Sequence, residues 1–283
     1  MRIILTYIFI FFICFAGYGQ EDMIISHSRF MQKTNPSAFG INNMNKTGVL
    51  YNSQGLINNN RIESQYFFGA ISFDQDNFSL GLDVYSLTMD NTGLVNTKPR
   101  LSYIYKIQFD NDVYFLPSIT LGLGSSRFDP SKLIFEDQIS LVSGFLQTES
   151  QDPIVDQIGN SNYMDLGASF IIHSSNYLFG VSMQHLNQPN ISYNNEDTDY
   201  TLPIRVSAQG GYEFDINPYD RSIMPRYSTV YAFMNLSKIG DNYDIYLSQE
   251  AQLGSFSVGL NQQFRKTSSF GFTNIGLSIA LAY

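Results

Sequence analysis

Few residues in this chain have the type and spacing for chemistry. The histidines are His27, His173 and His185, and none sits at a metal-ligand spacing from another histidine or an acid cluster. Polar lining or loop packing is therefore the default for each. His173, Ser174 and Ser175 place two hydroxyls beside an imidazole, the raw material of a nucleophile and base. That run falls in a tight connection between two apolar stretches and reads as a turn. The acidic stretch 194–200 has oxygen ligands for Ca²⁺ but lacks the spaced Asp/Asn-Gly-Glu order of an EF-hand loop, so it reads as solvated charge. Cys14 is the single cysteine. No catalytic group, cofactor or metal is expected.

What must position these residues begins after a leader. Arg2, the apolar run Ile3 to Phe15 and the small residues Gly17 and Gly19 make 1–19 a signal peptide with a cut near Gln20. Cys14 lies inside it, which leaves the mature chain without a disulfide framework or thiolate site. Charged residues make up 14% of the sequence, about half the usual share for a soluble domain. Past the leader no apolar run is long enough for a helical span. The net charge of −9 excludes a nucleic-acid partner.

Strict alternation fills that gap. The pattern predicts roughly twelve strands, with fourteen as the alternative, over 46–55, 63–73, 78–90, 95–109, 113–124, 163–173, 177–186, 202–215, 221–236, 243–251, 254–264 and 272–283. Alternate side chains point to opposite faces. In the first half of the third strand, Leu80, Leu82 and Val84 oppose Ser79, Gly81 and Asp83; in the fourth, Leu101, Tyr103 and Tyr105 oppose Arg100, Ser102 and Lys106. The strand over 202–215 sets Val206, Ala208, Tyr212 and Phe214 against Arg205, Ser207, Gln209 and Glu213. In the final strand Ile275, Leu277, Ile279, Leu281 and Tyr283 oppose Gly276, Ser278, Ala280 and Ala282.

Periodicity alone does not separate a sandwich, apolar inside, from a membrane barrel, apolar outside. Connection length does. Those after even-numbered strands read as tight, at 74–77, 110–112, 174–176, 217–220 and 252–254, whereas the two longest, 125–162 and 187–201, follow odd-numbered strands. Sorting by parity is the mark of a transmembrane antiparallel β-barrel of the outer membrane, with short periplasmic turns and longer outer loops. The expected layout is a signal peptide 1–19, a periplasmic lead-in 20–45 and the barrel 46–283. Loop 125–162 has apolar stretches at 133–135 and 139–142 and reads as a plug or docking surface. Tyr66, Phe67, Phe109, Tyr114, Tyr163, Tyr177, Tyr212, Phe214 and Phe264 are expected as interfacial girdles against outer-membrane lipid.

Several short motifs occur together. They are Asn35-Pro36-Ser37-Ala38-Phe39-Gly40, Asp129-Pro130, Asp152-Pro153, and a Gly-x-Ser-x-x-His-Leu-x-x-Pro run at Gly180, Ser182, His185, Leu186 and Pro189. Their order resembles the PorP/SprF family of Bacteroidota outer-membrane proteins over nearly the whole mature chain. The resemblance implies a type IX secretion and gliding-motility accessory without enzymatic activity. Its implied partners are a secreted adhesin or other type IX cargo and periplasmic secretion machinery. A second reading stays open, a porin-like or lipid and solute transport barrel, because Asn35-Pro36-Ser37 also resembles the N-terminal segment of fatty-acid transporters.

Overall fold

The structure is a computed structural model describing residues 27–43, 45–54, 61–73, 75–132, 136–139, 150, 160–192, 200–219, 224–226, 228–266 and 270–281. Its strands are Lys46–Gln54 (β1), Ile62–Phe73 (β2), Phe78–Met89 (β3), Leu94–Tyr105 (β4), Ile107–Asp110 (β5), Val113–Arg127 (β6) and Asn160–His173 (β7). After them come Tyr177–Gln184 (β8), Arg205–Asp215 (β9), Ser228–Ile239 (β10), Asn242–Leu253 (β11), Phe256–Lys266 (β12) and Phe270–Leu281 (β13). Each strand pairs antiparallel with its sequence neighbour from β1 to β13, with the short β5 pairing β6 beside β4. No ladder joins β1 to β13 among the described residues.

β4 and β5 together are the single strand expected over 95–109, interrupted where the Lys106 amide turns aside to donate to the Asn77 carbonyl (2.8 Å). Twelve ladder positions therefore match the twelve expected. The strand expected over 221–236 is described from Ser228 and 224–226 lie outside it, while 220–223 of the expected turn and strand fall outside the described residues. Pro225 has no amide for a ladder. Here the chain bonds to itself instead: the Asn217 amide reaches the Pro225 carbonyl (3.2 Å) and the Ser228 hydroxyl reaches it too (2.7 Å). The next connection is correspondingly tight, with Gly240 at a φ of 56° that only glycine adopts cheaply. The two longest connections, after β6 and β8, still follow odd-numbered ladder positions, but the sorting fails at this pair, and the connections 74–77 and 90–93 are equal in length.

The two faces are inverted relative to a water-soluble protein. Leu82, Leu101, Ile119, Leu121, Leu123, Leu277 and Ile279 are exposed, while Ser79, Asp83, Ser102, Ser207, Gln209, Asn235, Ser248, Asn261 and Gln263 are buried. A continuous apolar belt of this extent is not stable against water. Hydrocarbon is the solvent that suits it, and only a rolled sheet can satisfy its backbone there. Rings stack on the belt near the tight-turn end, Phe73 on Phe78 (4.6 Å between centroids), Phe78 on Tyr103 (5.5 Å) and Phe109 on Phe115 (5.7 Å). No described helix is long and apolar enough to cross a membrane, which has no bearing on strands. Three residues expected in the girdle are not on it. Tyr66 is buried on the inner face, Tyr114 packs against the core cluster there, and Tyr163 lines an internal cavity. In β2 the rings at 66, 67 and 68 occupy both faces, so alternation could not say which faced lipid.

Candidate functional site

Residues 27–43 lie inside the roll. The lead-in expected over 20–45 is, over this part, a packed element of two short 3-10 turns, Met31–Lys33 and Pro36–Asn43. The local sequence builds the second turn. Pro36 starts it with a fixed φ and no orphaned amide, and the Asn35 side chain accepts the Ser37 amide (3.1 Å). No residue from Thr34 to Asn45 is charged, which suits burial and not a solvated tether.

This one segment touches strands from both ends of the meander, and that is what shows the sheet to be curled around it. Toward β2 and β3, Phe39 sits near Phe68 (6.3 Å between centroids) and over Gly81, where a Cβ would collide with its ring. Toward β4 the Arg100 guanidinium donates to the Lys33 carbonyl (2.9 Å) while also gripping Asp83 (3.1 Å). Toward β6 and β7 the Ser37 hydroxyl meets those of Ser118 (3.0 Å) and Ser169 (2.9 Å). Toward β9 the Gln209 amide donates to the Thr34 hydroxyl (2.8 Å). Toward β11 and β12, Ser28 bonds Ser248 (3.0 Å) and Arg29 pairs with Glu250 and donates to Ser257 (2.5 Å). Residues 28–29 and the Ala38 carbonyl, which receives the β1 lysine Lys46 (3.1 Å), lie toward the tight-turn end. Lys33 and Thr34 form the apex, pointing at the long-connection end.

The motif residues divide sharply. Asn35, Pro36 and Gly40 are all buried in this plug. Gly180 lies directly beneath it: a Cβ there would stand 2.7 Å from the Asn35 amide nitrogen. The Ser182 hydroxyl donates to the Thr34 carbonyl (2.7 Å), joined by the Gln184 amide (3.1 Å). The two separated motifs are thus a plug and its seat. His185 follows in the left-handed region (φ 60°), its backbone amide donating to Asp165 (3.0 Å) and its Nδ1 3.0 Å from the same oxygen. Pro189 is buried and its carbonyl accepts the Leu202 amide (3.0 Å), whereas Leu186 is exposed. Asp129 takes the Ser131 hydroxyl (2.6 Å) and amide in a turn that Pro130 begins, far from the plug, and these bonds hold its carboxyl below the usual range. Asp152, Pro153 and the acidic run 194–199 lie outside the described residues, as does most of loop 125–162.

His173, Ser174 and Ser175 form no catalytic geometry. Both hydroxyls donate to Asp112 across the tight turns, and the imidazole stacks on Tyr114 (5.4 Å). Among the described residues no group of three or more His, Cys, Asp or Glu side chains could hold a metal ion. Above the plug apex, at the long-connection end, is a cavity of about 290 Å³ lined by Lys33, Lys98, Arg100, Arg205, Asp165 and His185 among others. Alternation located Arg100 and Arg205 on the inner face but set Tyr163 on the girdle, and nothing in the sequence said that Lys33 would complete the lining.

Comparison with known proteins agrees with this architecture. No curated protein matches the chain. Residues 22–283 match the family described as type IX secretion system membrane protein PorP/SprF. With its sheet rolled around its own N-terminal segment and its oily face outward, this chain belongs to the PorP/SprF family of type IX secretion system membrane proteins.

Proposed function

We propose that this protein is a plugged outer-membrane barrel that helps deliver or anchor a secreted surface protein, such as an adhesin, for the type IX system. The observation that carries the reading is the filled lumen. Residues 27–43 are held from nearly every side by inward groups, from Phe68 and Gly81 through Ser169 to Ser248 and Glu250. A barrel stoppered in this way suits recognition of partners at its two ends better than passive flux. Cargo would meet the long-connection end, and periplasmic machinery the tight-turn end, where the segment leads in behind the signal peptide. The family is one of secretion-system membrane proteins.

Deleting the protein and comparing secreted and surface proteomes tests the reading. Loss of one surface protein marks a dedicated partner, loss of all type IX cargo marks shared machinery, and an unchanged proteome refutes it. The competing transport reading expects large openings in planar bilayers from the intact chain. A plugged barrel stays closed, and deletion of residues 27–43 raises its conductance.

A further inference from the structure

We infer that the cavity above the plug is a binding site for a carboxylate flanked by aliphatic side chains, presented by an extended peptide. The inference rests on the cargo-handling reading and names the chemistry that would be recognised. Four cationic side chains, Lys33, Lys98, Arg100 and Arg205, line the cavity, and Asp165 is the one carboxylate among its described lining residues. That is the reverse of the chain as a whole, whose net charge is −9. Asp165 is engaged by His185, and Arg100 is committed to Asp83, which lies behind it in the wall. The floor is supplied by the plug itself: Lys33 sits at its apex with Nζ 3.9 Å from the centre of the Tyr85 ring.

The upper walls are apolar, formed by Leu87, Met89, Leu94, Leu202 and Ile239. Apolar walls around a few convergent polar groups are the usual composition of a ligand site, and low-dielectric walls focus the field of the cations on what enters. A volume of about 290 Å³ holds a few residues of extended chain and not a folded domain. A phosphate would match the positive potential but leaves the aliphatic walls without a partner, so a peptide carboxylate fits both halves. Its source is an acidic side chain or a chain terminus, and the same pocket chemistry serves either.

Calorimetry on the full mature barrel in detergent tests this with three pentapeptides: acetyl-LSELS-amide, acetyl-LSQLS with a free terminus, and the uncharged acetyl-LSQLS-amide. At least one carboxylate peptide is expected to bind about tenfold more tightly than the uncharged one, and which of the two does so names the source. The double variant Lys98→Gln, Arg205→Gln is expected to lose that preference while keeping the heat-modifiable gel mobility of a folded barrel. Should the variant misfold, salt decides on the wild type: affinity falling about tenfold between about 50 and about 500 mM NaCl supports the site, and no change overturns it. Equal binding of charged and uncharged peptides also overturns it, as does binding of diphosphoryl lipid A alone. These outcomes leave the secretion reading standing, because that reading answers to the proteome of the deletion strain.

Discussion

The two walls of the lumen grip the same plug by different physics. On the β2–β7 side the inner face carries Tyr66, Phe68, Ile104, Leu116 and Ile171, all buried, and with Ala38 and Phe39 they make up most of an apolar cluster that Leu178 of β8 and Phe233 of β10 join from the other side. On the β8–β12 side the inner face is otherwise mostly polar, with Ser182, Gln209, Asn235, Ser248, Asn261 and Gln263, and it meets the plug through hydrogen bonds at Thr34 and Ser28 and an ion pair at Arg29. Packing is lost as a block when a ring is removed, whereas each hydrogen bond is a small exchangeable contribution. The apolar wall should therefore determine whether the plug stays in, and the polar wall how it is oriented.

The largest test of that contrast is Phe39→Ala. Removing a fully buried ring should destabilise the plugged barrel by about 3–5 kcal/mol and free the segment for proteolysis, read as a lower urea midpoint in micelles. Next is Gly81→Leu, which forces a side chain into the space that the Phe39 ring holds; overpacking of this kind costs about 1–3 kcal/mol. Combining it with Phe39→Ala should cost less than the sum of the two, because the first change makes room for the second. Equal and additive effects would mean that the two residues do not share one space.

On the polar wall, Ser182→Ala removes one donor to the Thr34 carbonyl while the Gln184 amide remains, so a loss of roughly 0.6 kcal/mol is expected. A loss as large as that of Phe39→Ala would erase the distinction between the walls. The smallest effect lies outside both, at the exposed turn residue Asp112. Its carboxyl is held below the usual range by the Ser174 hydroxyl first, then by the Ser175 amide and hydroxyl. A depressed folded value means the contribution is complete above the unfolded carboxylate value of about 3.9 and disappears as pH falls through the folded one. Asp112→Asn should flatten stability only in that acidic window, measured as the urea midpoint between about pH 5 and about pH 2.

Most of the strand pattern was legible because alternation is a direct record of two solvents, one on each face. The faces of 78–84, 100–105, 205–214 and 275–281 came out as their residues dictate. That 224–226 stand outside β10 was not legible, since it follows from Asn217 reaching forward to the Pro225 carbonyl. Tyr66 was misplaced because neighbouring rings mark both faces of β2. The plug left a faint trace, an uncharged run after Lys33 and an inner-face glycine at 81, where the atoms nearest an added Cβ all belong to the Phe39 ring.

By itself the sequence determined that strands alternate between an oily and a polar face, where most of them run, and which family the motifs resemble, because period and spacing are properties of the chain alone. Only the tertiary structure decided that Asn35 rests on Gly180, that Thr34 is shared by β8 and β9, and that Lys33 becomes the floor of a basic cavity. Those pairings join residues more than a hundred positions apart, and no local periodicity records which segment fills the space that a rolled sheet encloses.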